Sequence, residues 1–348
     1  MTKNLAVLSP YAYPRLSPRI IIRNVGDGFI LRAIERHLGR FPAGLVMSSR
    51  AAPTPAQVER LLPTDGIILG GANQLQDNFA PWPGLTAETI RKDKLRFIPM
   101  GVGVSGKPGG GIHFTAEALK ILEVMHERIE YSSWRCPRTV AYLENALPHL
   151  KGQFLMTCCP VLLDRPLLEG TSFHDRSDTI AVTITDRDDF WERELPMLKS
   201  LAQRFPKSRR ILSLHQDFAA LRGSILQMDR LPFADNVSGT PTRFRRAARE
   251  LGYEIKVLRS AEQGIAFYRD TVDLHFGSRL HAHLLMMSLN KKSFLISVDE
   301  RMAGISEFLG FPMCDPSDVL AHLDFDFEIV RRQARIAHTT MQKFISRI

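Results

Sequence analysis

Cysteine is scarce in this 348-residue chain: Cys136, Cys158, Cys159 and Cys314 are the only four, and no CxxC pair occurs among them. Adjacent Cys158 and Cys159 cannot form an ordinary structural disulfide, so buried, reduced thiols are expected. No apolar run approaches the roughly 20 residues of a membrane span. Residues 1–9 lack the basic, apolar and small-residue order of a signal peptide, and a cytoplasmic protein is expected. No repeat period or low-complexity tract appears, which removes solenoids. The basic runs, residues 207–210 and 243–249, are short and carry no interleaved aromatics, so they read as solvated helix faces and no nucleic-acid partner is expected. Neither HExxH nor a nucleophile elbow is present, which argues against a zincin or a serine hydrolase.

What the chain does have is 44% hydrophobic residues and a length beyond the roughly 250–300 residues at which single cores stop growing, so two domains are expected. A formal charge of +9 favours an anionic partner without choosing among nucleic acid, anionic lipid and a phosphorylated small molecule.

Apolar runs and helical periodicities alternate along the chain. Strands are expected at 5–8, 44–47, 66–69, 95–99 and 154–163, with helices at 55–62 and 115–129 and another led in by Asn24-Val25-Gly26-Asp27-Gly28. A polar stretch poor in periodicity, 167–178, reads as a linker. A second alternation follows: strands at 179–185, 210–214, 253–258, 271–276 and 293–298, and helices at 190–204, 261–268 and 302–309. This pattern is that of parallel, doubly wound sheets, in which ligands sit at the carboxyl ends of strands. The expected fold is α/β and GT-B-like, two Rossmann-like domains (1–168 and 178–324) facing across a cleft. The final helical region, 325–348, is a candidate to return across the first domain.

The richest strand end is Asp273-Leu274-His275-Phe276-Gly277-Ser278-Arg279-Leu280-His281-Ala282-His283. Gly277 permits a sharp turn, Ser278 suits a helix N-cap, and Leu280, Leu284 and Met287 recur at helical spacing. Free backbone N–H groups, Arg279 and His281 would meet there, a setting for an anion. Arg187 and His215 fall at or just beyond neighbouring strand ends. His281 and His283 lie two apart on a helix and point in separate directions, so no metal site is expected. His275 is equally suited to the cleft and to the sheet interior. In the first half, Asn24 and Asp27 lie at a helix start, where either is equally well a cap, and Gly70-Gly71-Ala72-Asn73 follows a strand. Gly101-Val102-Gly103-Val104-Ser105-Gly106-Lys107-Pro108 matches GxGxxG and nearly matches a P-loop. Pro108 and the glycines after it deny such a motif its helix, so a strand-end loop beside the cleft is the better reading.

These motifs, in order, resemble the polysaccharide pyruvyl transferase family: Asn24-Val25-Gly26-Asp27, Gly70-Gly71, Gly101-Val102-Gly103, Ser133 to Arg135, and above all Gly277-Ser278-Arg279-Leu280-His281, followed by strand 293–298 with Asp299 and a helix holding Gly304. Thr157-Cys158-Cys159-Pro160 departs from a Gly-Asp or Gly-Cys common in relatives. The resemblance implies a GT-B-like fold and transfer of the pyruvyl group of phosphoenolpyruvate onto two hydroxyls of a sugar, forming a cyclic ketal. It implies phosphoenolpyruvate as donor substrate, no cofactor, and a sugar or lipid-linked oligosaccharide as acceptor, with which peripheral membrane association is compatible. It places His281, Arg279 and Asp27 in the chemistry, and Arg187, His215, Ser278, Leu280, Asn24, Gly70, Gly71 and Arg135 around the substrates. The rival readings are a GT-B glycosyltransferase that uses a nucleotide sugar, and a basic module that binds nucleic acid or membrane without catalysis.

Overall fold

The computed structural model describes residues 3–12, 24–104, 111–185, 190–215 and 242–348. The first half opens with β1 (Leu5–Ser9), α1 (Val25–Leu38), β2 (Val46–Ser48), α2 (Pro55–Leu61), β3 (Gly66–Gly70), α3 (Ala87–Lys92), β4 (Phe97–Met100) and α4 (Ala116–His126). It closes with β5 (Ser132–Trp134), α5 (Pro137–Ala146), β6 (Phe154–Met156) and α6 (Arg165–Glu169). Its strands are almost wholly apolar and β1, β3 and β4 are buried throughout, as strands covered by helices on both faces must be. They pair in parallel in the order β2-β1-β3-β4, and the Val102–Trp134 bridge carries the sheet on to β5 and β6.

The second half holds β7 (Thr179–Thr183), α7 (Trp191–Arg204), β8 (Arg209–Leu214), α8 (Thr242–Glu250), β9 (Tyr253–Val257), α9 (Ala261–Asp270) and β10 (Leu274–Gly277). After these come α10 (Leu280–Ser288), β11 (Ser293–Ile296), α11 (Glu300–Leu309), β12 (Met313–Cys314) and the long α12 (Glu328–Ile345). This sheet is also parallel, in the order β12-β11-β10-β7-β8-β9. The architecture is α/β and GT-B-like.

Both sheets reverse their winding once. In the first the reversal lies between β1 and β3, and in the second between β7 and β10, the places where adjacent connections leave on opposite faces and open a crevice. Small residues bring the two halves together. A methyl at Gly28 would lie 2.7 Å from Ala261 Cβ, and one at Gly264 2.7 Å from the Phe29 ring, so α1 of the first half packs closely on α9 of the second. The backbone N–H of Val25 donates to the His215 carbonyl, and that of Ala261 to the Tyr11 hydroxyl.

The last helix packs on α6 and α11 and against β6 and β5, and the chain ends where Arg96 donates to the Ile348 carbonyl at 3.0 Å. Buried Arg331 on this helix donates to Asn290 of the second half and to the Leu167 carbonyl of the first. The stretch read as a linker is tethered: His174 N–H donates to Asn290, and Lys292 pairs with Asp175.

Three expectations change. The strand expected over 154–163 ends at Met156, because Cys158 takes φ 64 and the chain turns inward to bury Cys158, Cys159 and Val161. The helix expected after Gly28 begins at Val25, with Asn24 as its cap. The helix after Arg279, expected on the spacing of Leu280, Leu284 and Met287, buries every face and not that row alone, between the sheet and α1.

Gly277 sits at φ 141, and a methyl there would lie 2.0 Å from the Thr183 carbonyl oxygen. Gly277→Ala is therefore expected to destabilise the fold by about 3–5 kcal/mol, since no flexible group can yield. Urea unfolding of the variant checks this, and a shift below about 1 kcal/mol would show that the turn can relax.

Candidate functional site

The two reversal points face one another, and the site is assembled from their strand ends. On the second half, β7 runs into Ile184-Thr185 and β10 into Ser278-Arg279. Ser278 N–H donates to the Thr183 carbonyl, Arg279 N–H to Thr183 Oγ1 at 3.3 Å, and Arg279 Nε to the Ile184 carbonyl at 3.0 Å. Ser278 is not the helix cap. The chain keeps strand-like hydrogen bonding through Ser278, Arg279 occupies the cap position, and the Ser278 hydroxyl donates instead to Glu194 Oε1 at 2.7 Å. His281 lies in the first turn of α10.

On the first half, Asn24 caps α1 by accepting from Gly26 N–H at 3.0 Å. A methyl at Gly26 would lie 3.0 Å from His281 Nδ1, so this helix start abuts the start of α10. Asp27 is buried and accepts from Arg50 Nη2 at 3.0 Å. Arg135 is also fully buried. Its Nη2 donates to Asn73 Oδ1 at 3.0 Å, while its Nε and Nη1 find no acceptor among the described residues. Gly103 makes room for it, since a methyl there would meet the guanidinium at 2.4 Å. Arg301 follows β11 and lies in an ion pair with Asp299.

The electrostatics define one cluster. Burial pushes the Asp27 carboxyl up, opposed by Arg50, Arg301, Arg279 and Arg135. Burial, then Arg135, Arg301 and Arg279, hold His281 well below the usual histidine range, so it is neutral, and its buried Nε2 has no partner among the described residues. Four guanidiniums outnumber the nearby carboxylates Asp27, Asp299 and Glu194. Buried positive charge and unsatisfied N–H donors of this kind are costly until an anion fills them. Beside the cluster a polar cavity of about 660 Å³ is lined by Asn24, Asp27, Arg50, Asn73, Gln76 and Arg301, among others.

Of the expected site residues, Asn24, Asp27, Arg135, Arg279 and His281 are brought together. Arg187 lies outside the described residues, as do residues 105–110 of the glycine-rich loop. His215 borders the cluster, but its Nε2 is engaged with the Tyr268 hydroxyl at 2.7 Å and burial holds it well below its usual range. Gly70 and Gly71, expected to admit a ligand, admit protein instead: methyls there would meet the Leu8 carbonyl at 3.0 Å and Ile30 at 2.5 Å. Leu280 is buried in the main apolar core, where it packs. His275 belongs to the sheet interior, bonded to Thr183 Oγ1 and Ser293 Oγ, with burial pushing it down to about 3. His283 shares Ser293 Oγ and meets the Phe311 ring edge-on. The four cysteines are buried and unbridged, and burial pushes Cys159 up to about 11, which makes it an unreactive thiol.

Asn73 closes the Gly70–Asn73 stretch singled out after a strand, but Arg50, Arg301 and Glu194 were not anticipated. The two arginines follow β2 and β11, so the strand-end rule applied to every strand finds them. Glu194 lies within α7 and has no such signal.

A family model for polysaccharide pyruvyl transferases matches residues 24–300. The chain belongs to that family. The matched span starts at the cap Asn24 and takes in both facing strand-end sets, so this pyruvyl transferase has its cluster almost wholly inside the family region, with Arg301 one residue beyond it. No curated protein matches the chain. Among solved structures it is similar to UDP-GlcNAc 2-epimerase from Methanocaldococcus jannaschii, with 10% identity, a TM-score of 0.48, and coverage of 97% of this chain and 99% of that one. The Neisseria meningitidis UDP-GlcNAc 2-epimerase bound to UDP-GlcNAc gives the same four values. The S. aureus MnaA–UDP co-structure is similar at 9% identity and a TM-score of 0.47, covering 96% and 91%. Among the described residues of the pyruvyl transferase, no helix is long and apolar enough to cross a membrane, and no group of three or more His, Cys, Asp or Glu residues is arranged to hold a metal ion.

Proposed function

We propose that the chain transfers the pyruvyl group of phosphoenolpyruvate to two hydroxyls of a sugar, in a polysaccharide, an oligosaccharide or a precursor, and releases phosphate. The observation that carries this is the buried Arg135 guanidinium, whose Nε and Nη1 have no acceptor among the described residues, in one cluster with Arg279, Arg301 and neutral His281. A small ligand bearing both a carboxylate and a phosphate suits several guanidinium forks at once, and guanidinium matches both groups bidentately.

In this reading Arg279 and Arg135 hold the donor's anionic groups. Burial is the larger cause of His281's neutrality and the arginines the smaller; binding the donor offsets the arginines' share, so the affinity of His281 for a proton rises as the donor arrives. His281 then gives that proton to the methylene carbon, C2 becomes oxocarbenium-like, and the first sugar hydroxyl adds to C2. Phosphate leaves with its bonding electrons, stabilised by the arginines, and the second hydroxyl closes the ketal as its proton passes to His281, which restores the acid. Asp27 lines the polar cavity and takes the hydroxyl proton, a role that a carboxylate raised by burial can fill. Asn24 is occupied in capping α1 and lines the same cavity.

The test is mass spectrometry of candidate sugar acceptors incubated with phosphoenolpyruvate, which should reveal an added pyruvyl ketal with stoichiometric phosphate. Thermal stabilisation by phosphoenolpyruvate and none by UDP-GlcNAc should accompany it. The reverse pattern would replace this reading with nucleotide-sugar chemistry.

A further inference from the structure

We infer that Glu194 is the positioning residue of the donor site, a carboxylate that ties together the two strand ends to which Arg279 is anchored. The inference rests on the reading that Arg279 holds the anionic donor, whichever anion that is.

Arg279 is fixed at two places. Its backbone follows Ser278 in the turn after β10, and its Nε donates to the Ile184 carbonyl in the turn after β7. Glu194 grips both turns from α7. Its Oε1 accepts from the Ser278 hydroxyl at 2.7 Å, and both of its oxygens accept from Thr185 N–H at 3.1 Å, with the Thr185 hydroxyl a further donor at 3.4 Å. The side chain is 1% exposed, so these protein donors replace its hydration. Burial pushes Glu194 up to about 7, while Ser278, Thr185 and Arg279 pull it back toward the ionised form. A buried carboxylate held only for stability is an expensive device, because a well-packed apolar residue does as well. Three donors converge on it from two separate strands. It thereby holds the Ile184 carbonyl and the Arg279 backbone at a fixed separation, and so aims the guanidinium.

Glu194→Gln keeps the shape and one acceptor oxygen but loses the charge. It is expected to raise KM for the donor by about tenfold, the effect of weakening one charge-assisted hydrogen bond, with kcat and the acceptor KM little changed. Ser278→Ala removes one of the grips without touching α7, and it should raise the same constant. The double variant should be no worse than the poorer single variant, because both cut the same connection. Glu194→Asp, whose shorter arm can reach one turn but not both, should not restore the donor KM.

Wild-type protein is first titrated with phosphoenolpyruvate and with UDP-GlcNAc. A preference for the second overturns the donor reading and leaves Glu194 to be tested on UDP-GlcNAc affinity by the same variants. If Glu194→Gln lowers only the melting temperature or the active fraction, with the donor constant unmoved, the carboxylate is structural and the inference fails. Additive effects of the two single variants would likewise overturn it.

Discussion

His281→Gln is expected to lower kcat by about 10²–10⁴-fold in a protein that remains folded, the usual contribution of a positioned proton donor. Glutamine occupies a similar volume, so the close contact with Gly26 is kept and the fold should persist. Phosphoenolpyruvate should still bind, because the arginines carry that interaction. Calorimetry of the two proteins separates these effects. A further signature follows from the direction of the histidine's shift. Burial and Arg135, Arg301 and Arg279 hold His281 well below its usual range, so at neutral pH the imidazole is uncharged. Donor binding adds negative charge among those arginines and raises its affinity for a proton, so wild-type protein should take up a proton on binding phosphoenolpyruvate above pH 7 and the variant should not. The kcat of wild-type enzyme should then fall on the alkaline side, as His281 in the complex loses that proton. Phosphate release by the variant at the wild-type rate, with acceptor present, would remove His281 from the chemistry.

Arg135→Met is expected to do two opposite things. Without donor, the variant should be more stable than wild type by about 1–3 kcal/mol, because a buried guanidinium with unsatisfied N–H groups is replaced by an apolar side chain of similar length. That corresponds to a rise in melting temperature of several degrees. With donor, affinity for phosphoenolpyruvate should fall by about 30- to 1,000-fold, the loss of one member of a buried charge pair. Stability gained together with binding lost is the mark of a functional residue carried at a structural cost. Differential scanning calorimetry and donor titration on one sample measure both. A less stable variant with unchanged donor affinity would make Arg135 a framework residue that serves to hold Asn73.

Much of this was legible in the sequence because the information is local. The runs at Leu5–Ser9 and Gly66–Gly70 are apolar and short, and nothing but buried parallel strands suits them between helical periodicities. The Arg279 and His281 turn was likewise local, since Gly277, the strand before it and the helix after it lie in one stretch. What escaped depended on contacts between distant segments. Ser278 looks like a helix cap, and only the approach of Glu194 from α7, 84 residues away in sequence, claims its hydroxyl. Gly70 and Gly71 look like a ligand-admitting turn, but Leu8 and Ile30 fill the space beside them. Arg50 and Arg301 could have been found, because both lie beyond strand ends. Their short flanking strands and the absence of a glycine turn made them inconspicuous.

The contact between Gly26 and His281 joins one half of the molecule to the other at the place of the proposed proton donor. In the proposed mechanism the acid, His281, is carried by the second half and the base, Asp27, by the first, so the distance between them is set by how the two halves pack. Loosening the close packing of α1 on α9 at Gly28 and Gly264 would therefore move the proposed acid and base apart without touching either of them.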